Sequence, residues 1–112
     1  MRVIVVILAC AFALYTAQAA ASTSASPARN AQIIRAVFGT HGSAAVRVAS
    51  CESGLSEWAR NGQYQNLFQM GYAERRRYGW HVAGSSPWLA AKAAYRYFKA
   101  SGYSWRAWTC QP

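Results

Sequence analysis

The residue best suited to chemistry in this chain is a glutamate. Only three of the 112 residues are acidic, all of them Glu, and one of these is Glu52 in the run Cys51-Glu52-Ser53-Gly54. Helical spacing places Glu52 on the same face as apolar Ala45 and Val48, so its carboxyl group should emerge from the core side at a helix end. Apolar surroundings that raise a carboxyl pKa to about 6 or 7 make a general acid. We expect Glu52 to fill that role.

The other two carboxylates stand in no recognisable motif. Most glycosidases use a second carboxylate as nucleophile or base, and only Glu57 and Glu74 are available here. A glutamate is usually a solvated surface side chain, and we expect that environment for both. This scarcity favours a mechanism that needs one carboxylate.

The start of the chain has the pattern of a secretory signal. Met1-Arg2 precedes an apolar run from Val3 to Leu14, and Ala17-Gln18-Ala19 follows with the small residues typical of a cleavage site. The run is too short to span a bilayer comfortably. We expect residues 1–19 to be removed and the protein to be secreted or associated with the cell wall. In a minor alternative, Cys10 carries a lipid.

Removal of the signal leaves two cysteines, Cys51 and Cys110. In an oxidising compartment these favour a single disulfide, which would enclose nearly the whole domain. A loop of that length contributes about 4 kcal/mol in the chain-entropy model. The alternative is two buried free thiols.

The chain is strongly basic, with a formal net charge of +9. This charge favours an anionic partner such as cell wall, a membrane surface or nucleic acid. Nucleic acid is the least favoured, because no nucleic-acid-binding motif is present. The run Arg75-Arg76-Arg77 either steers the protein to anionic wall polymer or is a solvated helix side. His41 and His81 are isolated, and we expect neither a metal site nor a cofactor.

Periodicity and turn signals predict one small domain over residues 31–112, preceded by a flexible leader at residues 20–30. The fold class is mainly α, with short helices, a minor hairpin or ordered loop, and one disulfide. The first predicted helix covers Ala31–Phe38, and the second runs from Ser43 to a stop at Gly54. A hairpin or loop is predicted within Trp58–Met70, followed by a basic helix over Gly71–Tyr78. The last predicted helix begins at Ser86-Pro87, is mostly buried and ends before Gly102.

Three runs of residues resemble a known family. Glu52-Ser53-Gly54, Asn66-Leu67-Phe68-Gln69-Met70 and Ala93-Ala94-Tyr95-Arg96-Tyr97-Phe98 resemble the lysozyme-like fold of lytic transglycosylases. The pairing of Cys51-Glu52-Ser53-Gly54 with Trp105-Arg106-Ala107-Trp108-Thr109-Cys110 is similar to resuscitation-promoting factors of actinobacteria. The resemblance covers about Ala44 to Cys110.

The resemblance implies that Glu52 protonates the oxygen between N-acetylmuramic acid and N-acetylglucosamine in peptidoglycan. The same residue would then remove a proton from the C6 hydroxyl, which gives a 1,6-anhydro product without water. It also implies that Gln69 and Met70 line the cleft. Aromatic faces that stack on sugars add Trp58, Tyr64 and Tyr95 as candidates, although core packing is the alternative for the two tyrosines.

The sequence departs from the family at two places. Asn66 stands where the family usually has Gly, and Asn tolerates left-handed backbone better than most residues. The Ala-Tyr-Asn-Ala-Gly segment of larger lytic transglycosylases is absent, so the resemblance favours the shorter, disulfide-bearing relatives.

Two other functions remain open. In the first, the same fold hydrolyses the bond, with Glu57 or Glu74 placing the water. In the second, a cationic wall-binding or antimicrobial protein acts without catalysis. We expect the partner to be peptidoglycan glycan strands, with wall association and no nucleic acid, and we expect the protein to be a monomer.

Overall fold

A computed structural model describes residues 26–112. The expected signal, the alternative lipid-bearing Cys10 and residues 20–25 of the expected leader lie outside the described residues. Within the described part of the chain, no helix has both the length and the apolar character needed to cross a membrane.

The first helix, α1, is Pro27–Phe38, four residues longer at its start than predicted. Ser26 is the N-cap, its Oγ accepting a hydrogen bond from the Arg29 amide at 3.3 Å, and Pro27 occupies the first turn. The assignment of residues 27–30 to the leader is therefore wrong. Asn30, which that leader included, is fully buried against the following loops.

A short 3₁₀ turn, Gly39–His41, leads into α2, Gly42–Ser53. Helix α2 ends where predicted, at Gly54 in the left-handed conformation (φ 63°), and the Gly54 amide donates to the Ser50 carbonyl. Its start differs slightly, because His41 rather than Ser43 is the N-cap and no side chain caps it. The stop at Gly54 fixes Glu52 in the last turn.

The predicted hairpin is confirmed. Strands β1, Arg60–Asn61, and β2, Tyr64–Gln65, are antiparallel, with Arg60 opposite Gln65 and Asn61 opposite Tyr64. Gly62 takes a positive φ of 58° in the connecting turn, which few other residues tolerate. The hairpin is followed by α3, Tyr72–Tyr78, which ends at Gly79, and by α4, Pro87–Ala100.

The core lies where α1 packs against α2 and α4. The largest fully buried apolar side chains are Ile34, Phe38, Val48, Leu67, Phe68 and Phe98. Helix α4 is buried along one face only: its alanines at 90, 91, 93 and 94 are buried, whereas Trp88 and Leu89 are exposed. The prediction that α4 is mostly buried is therefore wrong at its first turn.

The disulfide Cys51–Cys110 joins residues 59 apart in sequence, with the Cα atoms 5.9 Å apart. It ties the end of α2 to residues 101–112, here called the C-terminal segment, which contains no helix or strand. Trp108 also anchors this segment, because its Nε1–H donates to the Phe68 carbonyl at 3.0 Å. The described part of the chain is a small, mainly α domain with a two-stranded sheet and one disulfide, as predicted.

Candidate active site

A cavity of about 390 Å³ lies between the end of α2, the hairpin, the start of α3, α4 and the C-terminal segment. Glu52 lines it together with Gln69 and Met70, the two residues that the resemblance implies for a cleft. Trp108 and Thr109 line it from the C-terminal segment. The volume falls in the range of about 300–1,000 Å³ that is usual for ligand sites.

The Glu52 carboxylate is half-buried and held by one oxygen. Its Oε1 accepts a hydrogen bond from the Cys110 amide at 2.9 Å. The disulfide to the neighbouring Cys51 keeps that amide in place. Within residues 26–112, Oε2 makes no hydrogen bond or ion pair. Oε2 is thus the oxygen available for proton exchange with a ligand in the cavity.

Ser53 connects the end of α2 to the loop beneath the cavity. Its hydroxyl lies 2.7 Å from the Leu67 carbonyl and 2.9 Å from the Ala49 carbonyl, and it donates to one of them at a time. This bond fixes the spacing between Glu52 and residues 66–70.

Asn66 shapes that loop from a buried position. Its φ is 70°, so this position has a left-handed backbone, which Asn tolerates better than most residues in place of Gly. Its Oδ1 accepts from the Leu67 amide at 2.7 Å, and its Nδ2 donates to the Val82 carbonyl at 3.0 Å. The loop therefore gains side-chain hydrogen bonds that a Gly could not provide.

Gln69 is held in the cavity wall by its amide nitrogen. Nε2 donates to the carbonyls of Ala59 (3.1 Å) and Asn66 (2.9 Å). In the described part of the chain its Oε1 has no hydrogen-bond partner. Gln69 can therefore present an acceptor in a fixed orientation to a ligand.

Of the three aromatic candidates, only Tyr64 lines the cavity, with 47% of its surface exposed. Trp58 is 63% exposed but does not line the cavity, and its ring packs over Gly84. Tyr95 packs on Phe38, with ring centroids 5.1 Å apart, and does not line the cavity. Of these three, Tyr64 thus shares the cavity with Glu52, whereas Trp58 and Tyr95 do not line it.

Among the cavity residues that were not recognised from the sequence as site residues, two have titratable side chains. Glu74, expected to be solvated, is half-buried and lines the cavity, with its Oε2 close over Gly71. Tyr97 lines it as well. Burial raises the pKa of Tyr97, and the nearby Glu74 and Tyr78 raise it further, so its phenol remains a hydrogen-bond donor.

Glu57 contradicts the expectation of a solvated side chain. It is only 5% exposed, and its Oε2 accepts a hydrogen bond from Asn30 Nδ2 at 2.7 Å. The same Nδ2 donates to the Leu55 carbonyl at 2.8 Å. Glu57 does not line the cavity, so its contacts are those of a structural group. Of the two carboxylates considered for placing water, Glu74 is the one that shares the cavity with Glu52.

The arginine run divides into two environments. Arg76 and Arg77 are exposed, whereas Arg75 is 2% exposed. Arg75 donates to three carbonyls, those of Met70 (Nε, 3.1 Å), His81 (Nη1, 2.7 Å) and Gln63 (Nη2, 3.1 Å). Two of the three arginines are therefore solvated and available to attract an anionic polymer, and the third is not.

Comparison of the chain with protein-family models, curated proteins and solved structures finds no match. The family resemblance accordingly rests on the residues of the chain itself.

Proposed function

We propose that the protein is a secreted enzyme that cleaves the β-1,4 bond between N-acetylmuramic acid and N-acetylglucosamine in peptidoglycan, as a lytic transglycosylase of lysozyme-like type. The observation that carries the proposal is the position of Glu52. Its carboxyl group lines a ligand-sized cavity, one oxygen is anchored by the Cys110 amide, and the other makes no hydrogen bond within residues 26–112. The strongly positive charge of the chain supports an anionic polymer as substrate.

In the first step, Glu52 Oε2–H donates its proton to the glycosidic oxygen as the bond from that oxygen to C1 breaks. The sugar acquires oxocarbenium character, and the departing chain leaves with a hydroxyl group. The new Glu52 carboxylate keeps its hydrogen bond from the Cys110 amide throughout, so the side chain need not reorient.

In the second step, the same carboxylate removes the proton of the sugar's own C6 hydroxyl while O6 bonds to C1. The product is a 1,6-anhydro sugar, no water is consumed, and Glu52 is again protonated. A single carboxylate performs both proton transfers. This economy agrees with a chain that contains only three acidic residues.

Glu74 supports a second candidate function, hydrolysis, because it lines the same cavity. There a water would attack C1 and transfer a proton to the Glu74 carboxylate, while Glu52 again protonates the leaving oxygen. The product would carry a reducing end.

One experiment separates these functions. The protein, purified with its disulfide formed, is incubated with isolated peptidoglycan, and the released muropeptides are identified by mass. We expect anhydro products, lighter by one water than hydrolytic ones. Glu52→Gln, which retains an acceptor for the Cys110 amide, should fold normally and lose roughly 10²–10⁴-fold in rate. Glu74→Gln is the matched control and should still yield anhydro products.

The other outcomes favour the alternatives. Reducing ends that disappear in Glu74→Gln would establish the hydrolase. A third outcome is that the wild type releases no muropeptides and that Glu52→Gln has the same effect on cells as the wild type. This outcome would indicate a cationic wall-binding protein.

A further inference from the structure

Two exposed aromatic rings lie at α3. Tyr72, its first residue, is 52% exposed, and Trp80, two residues after its end, is 55% exposed. Their ring centroids are 5.6 Å apart, with planes at 79°. Exposed apolar surface is unfavourable in water, and a contiguous aromatic patch on a small protein marks a surface with a binding role.

The buried Arg75 holds the Trp80 ring. Its Cζ lies 4.7 Å from the Trp80 ring centroid, a cation–π distance. The guanidinium is itself fixed by its three carbonyl acceptors, one of which belongs to His81, the next residue after Trp80. The guanidinium thus contacts one face of the ring, and 55% of the Trp80 side chain remains exposed to solvent. Such a ring loses little conformational freedom when a ligand binds.

The same arginine fixes the aromatic pair relative to the cavity. Arg75 also donates to Met70, which lines the cavity, and to Gln63, which precedes the cavity residue Tyr64. In addition, the Tyr72 amide donates to Gln63 Oε1 at 3.1 Å. These hydrogen bonds connect the two rings to residues at the cavity rim.

We propose that Tyr72 and Trp80 bind sugar residues of the glycan strand beyond those in the cavity. The inference rests on the proposed function, because it takes the ligand to be a β-1,4-linked amino-sugar strand. The C–H faces of such sugars are apolar and flat, so they stack on an open aromatic face while their hydroxyl groups stay in water. The exposed Arg76 and Arg77 on the same helix complement the carboxylates of peptide stems.

The test measures binding separately from cleavage. Glycan strands freed from peptide by an amidase are fractionated by length, and a disaccharide and a long strand are titrated into Glu52→Gln protein by calorimetry. In this background Trp80→Ala should weaken long-strand binding about tenfold, equivalent to ~1.4 kcal/mol. Disaccharide binding should change by less than about twofold. Trp80→Tyr should retain most of the affinity.

Trp88→Ala is the matched control, because Trp88 is a comparably exposed tryptophan on α4 that does not line the cavity. It should leave both affinities unchanged. The proposal is overturned if the long strand does not bind, if Trp80→Ala has no effect on it, or if that variant weakens both lengths equally. It is also overturned if Trp80→Ala only abolishes self-association of the protein. Failure of the proposed chemistry shows separately, as cleavage that is absent in wild type or persists in Glu52→Gln.

Discussion

Removal of the Cys51–Cys110 disulfide should affect stability and the candidate site together. The double variant Cys51→Ser with Cys110→Ser removes the bond without leaving a thiol. The bond closes a loop with a sequence separation of 59. For a loop of this size the chain-entropy model gives about 4 kcal/mol at 25 °C, against a typical total stability of roughly 5–15 kcal/mol. In a domain of this length, the loss should lower Tm by roughly 15–30 °C.

The same change removes what holds the Cys110 amide against Glu52 Oε1. A hydrogen bond to a charged group contributes about 1.5–3 kcal/mol. If Glu52 acts as proposed, the variant should lose roughly 10–150-fold in cleavage rate even at temperatures where it is still folded. The wild type treated with reductant should match the double variant in both respects, and the double variant should not respond to reductant.

The assays are thermal unfolding followed by circular dichroism and muropeptide release at a temperature well below both transitions. A Tm within a few degrees of the oxidised protein would refute the reasoning, since the anchor at Trp108 would then suffice to hold the C-terminal segment. Unchanged cleavage in a destabilised variant would show that the Cys110 hydrogen bond does not position Glu52.

Two further predictions concern buried polar groups away from the cavity. Asn30→Ala should leave the buried Glu57 carboxylate without this donor and lower the free energy of unfolding by about 1–3 kcal/mol. Gln32→Ala, on the exposed side of α1, should lower it by less than about 0.5 kcal/mol. Denaturant titration measures both variants, and equal effects would contradict the contact between Asn30 and Glu57. Burial lowers the pKa of His81 from its ordinary 6.5, so the unfolded chain takes up a proton that the folded state excludes, and stability should fall as the pH drops below about 6.5. Unfolding of wild type and His81→Gln between pH 7.5 and 5 checks this, and a pH dependence that is the same in both proteins would count against it.

Boundaries set by backbone chemistry could be predicted from the sequence. Gly54 ends α2 and Gly79 ends α3, because each adopts a positive φ that other residues resist. Pro87 begins α4, since its fixed φ and missing amide suit only a first turn. The disulfide was predictable because only Cys51 and Cys110 remain once the expected signal is removed, so one pairing is possible.

The composition of the cavity was only partly predictable. Tyr95 and Tyr97 both lie on α4, two positions apart, so their side chains point in directions that differ by about 200°. Only the packing of α4 on α1 decides that Tyr97, rather than Tyr95, lines the cavity. Asn30 and Glu57 form a contact across 27 residues, which no local pattern indicates. The roles of Glu74 and Arg75 likewise depend on how α3 docks.

The long-range contacts of the C-terminal segment have a consequence for folding kinetics. Turn and helix formation within residues 27–53 involves only neighbours in sequence, whereas the Cys110–Glu52 hydrogen bond spans 58 residues and the Trp108–Phe68 bond spans 40. Contacts between distant residues form late, because the chain must first lose the entropy of the intervening loop. A reduced, refolding chain should therefore regain its helical signal before the cavity exists, and oxidation of the two thiols is the event that completes the site.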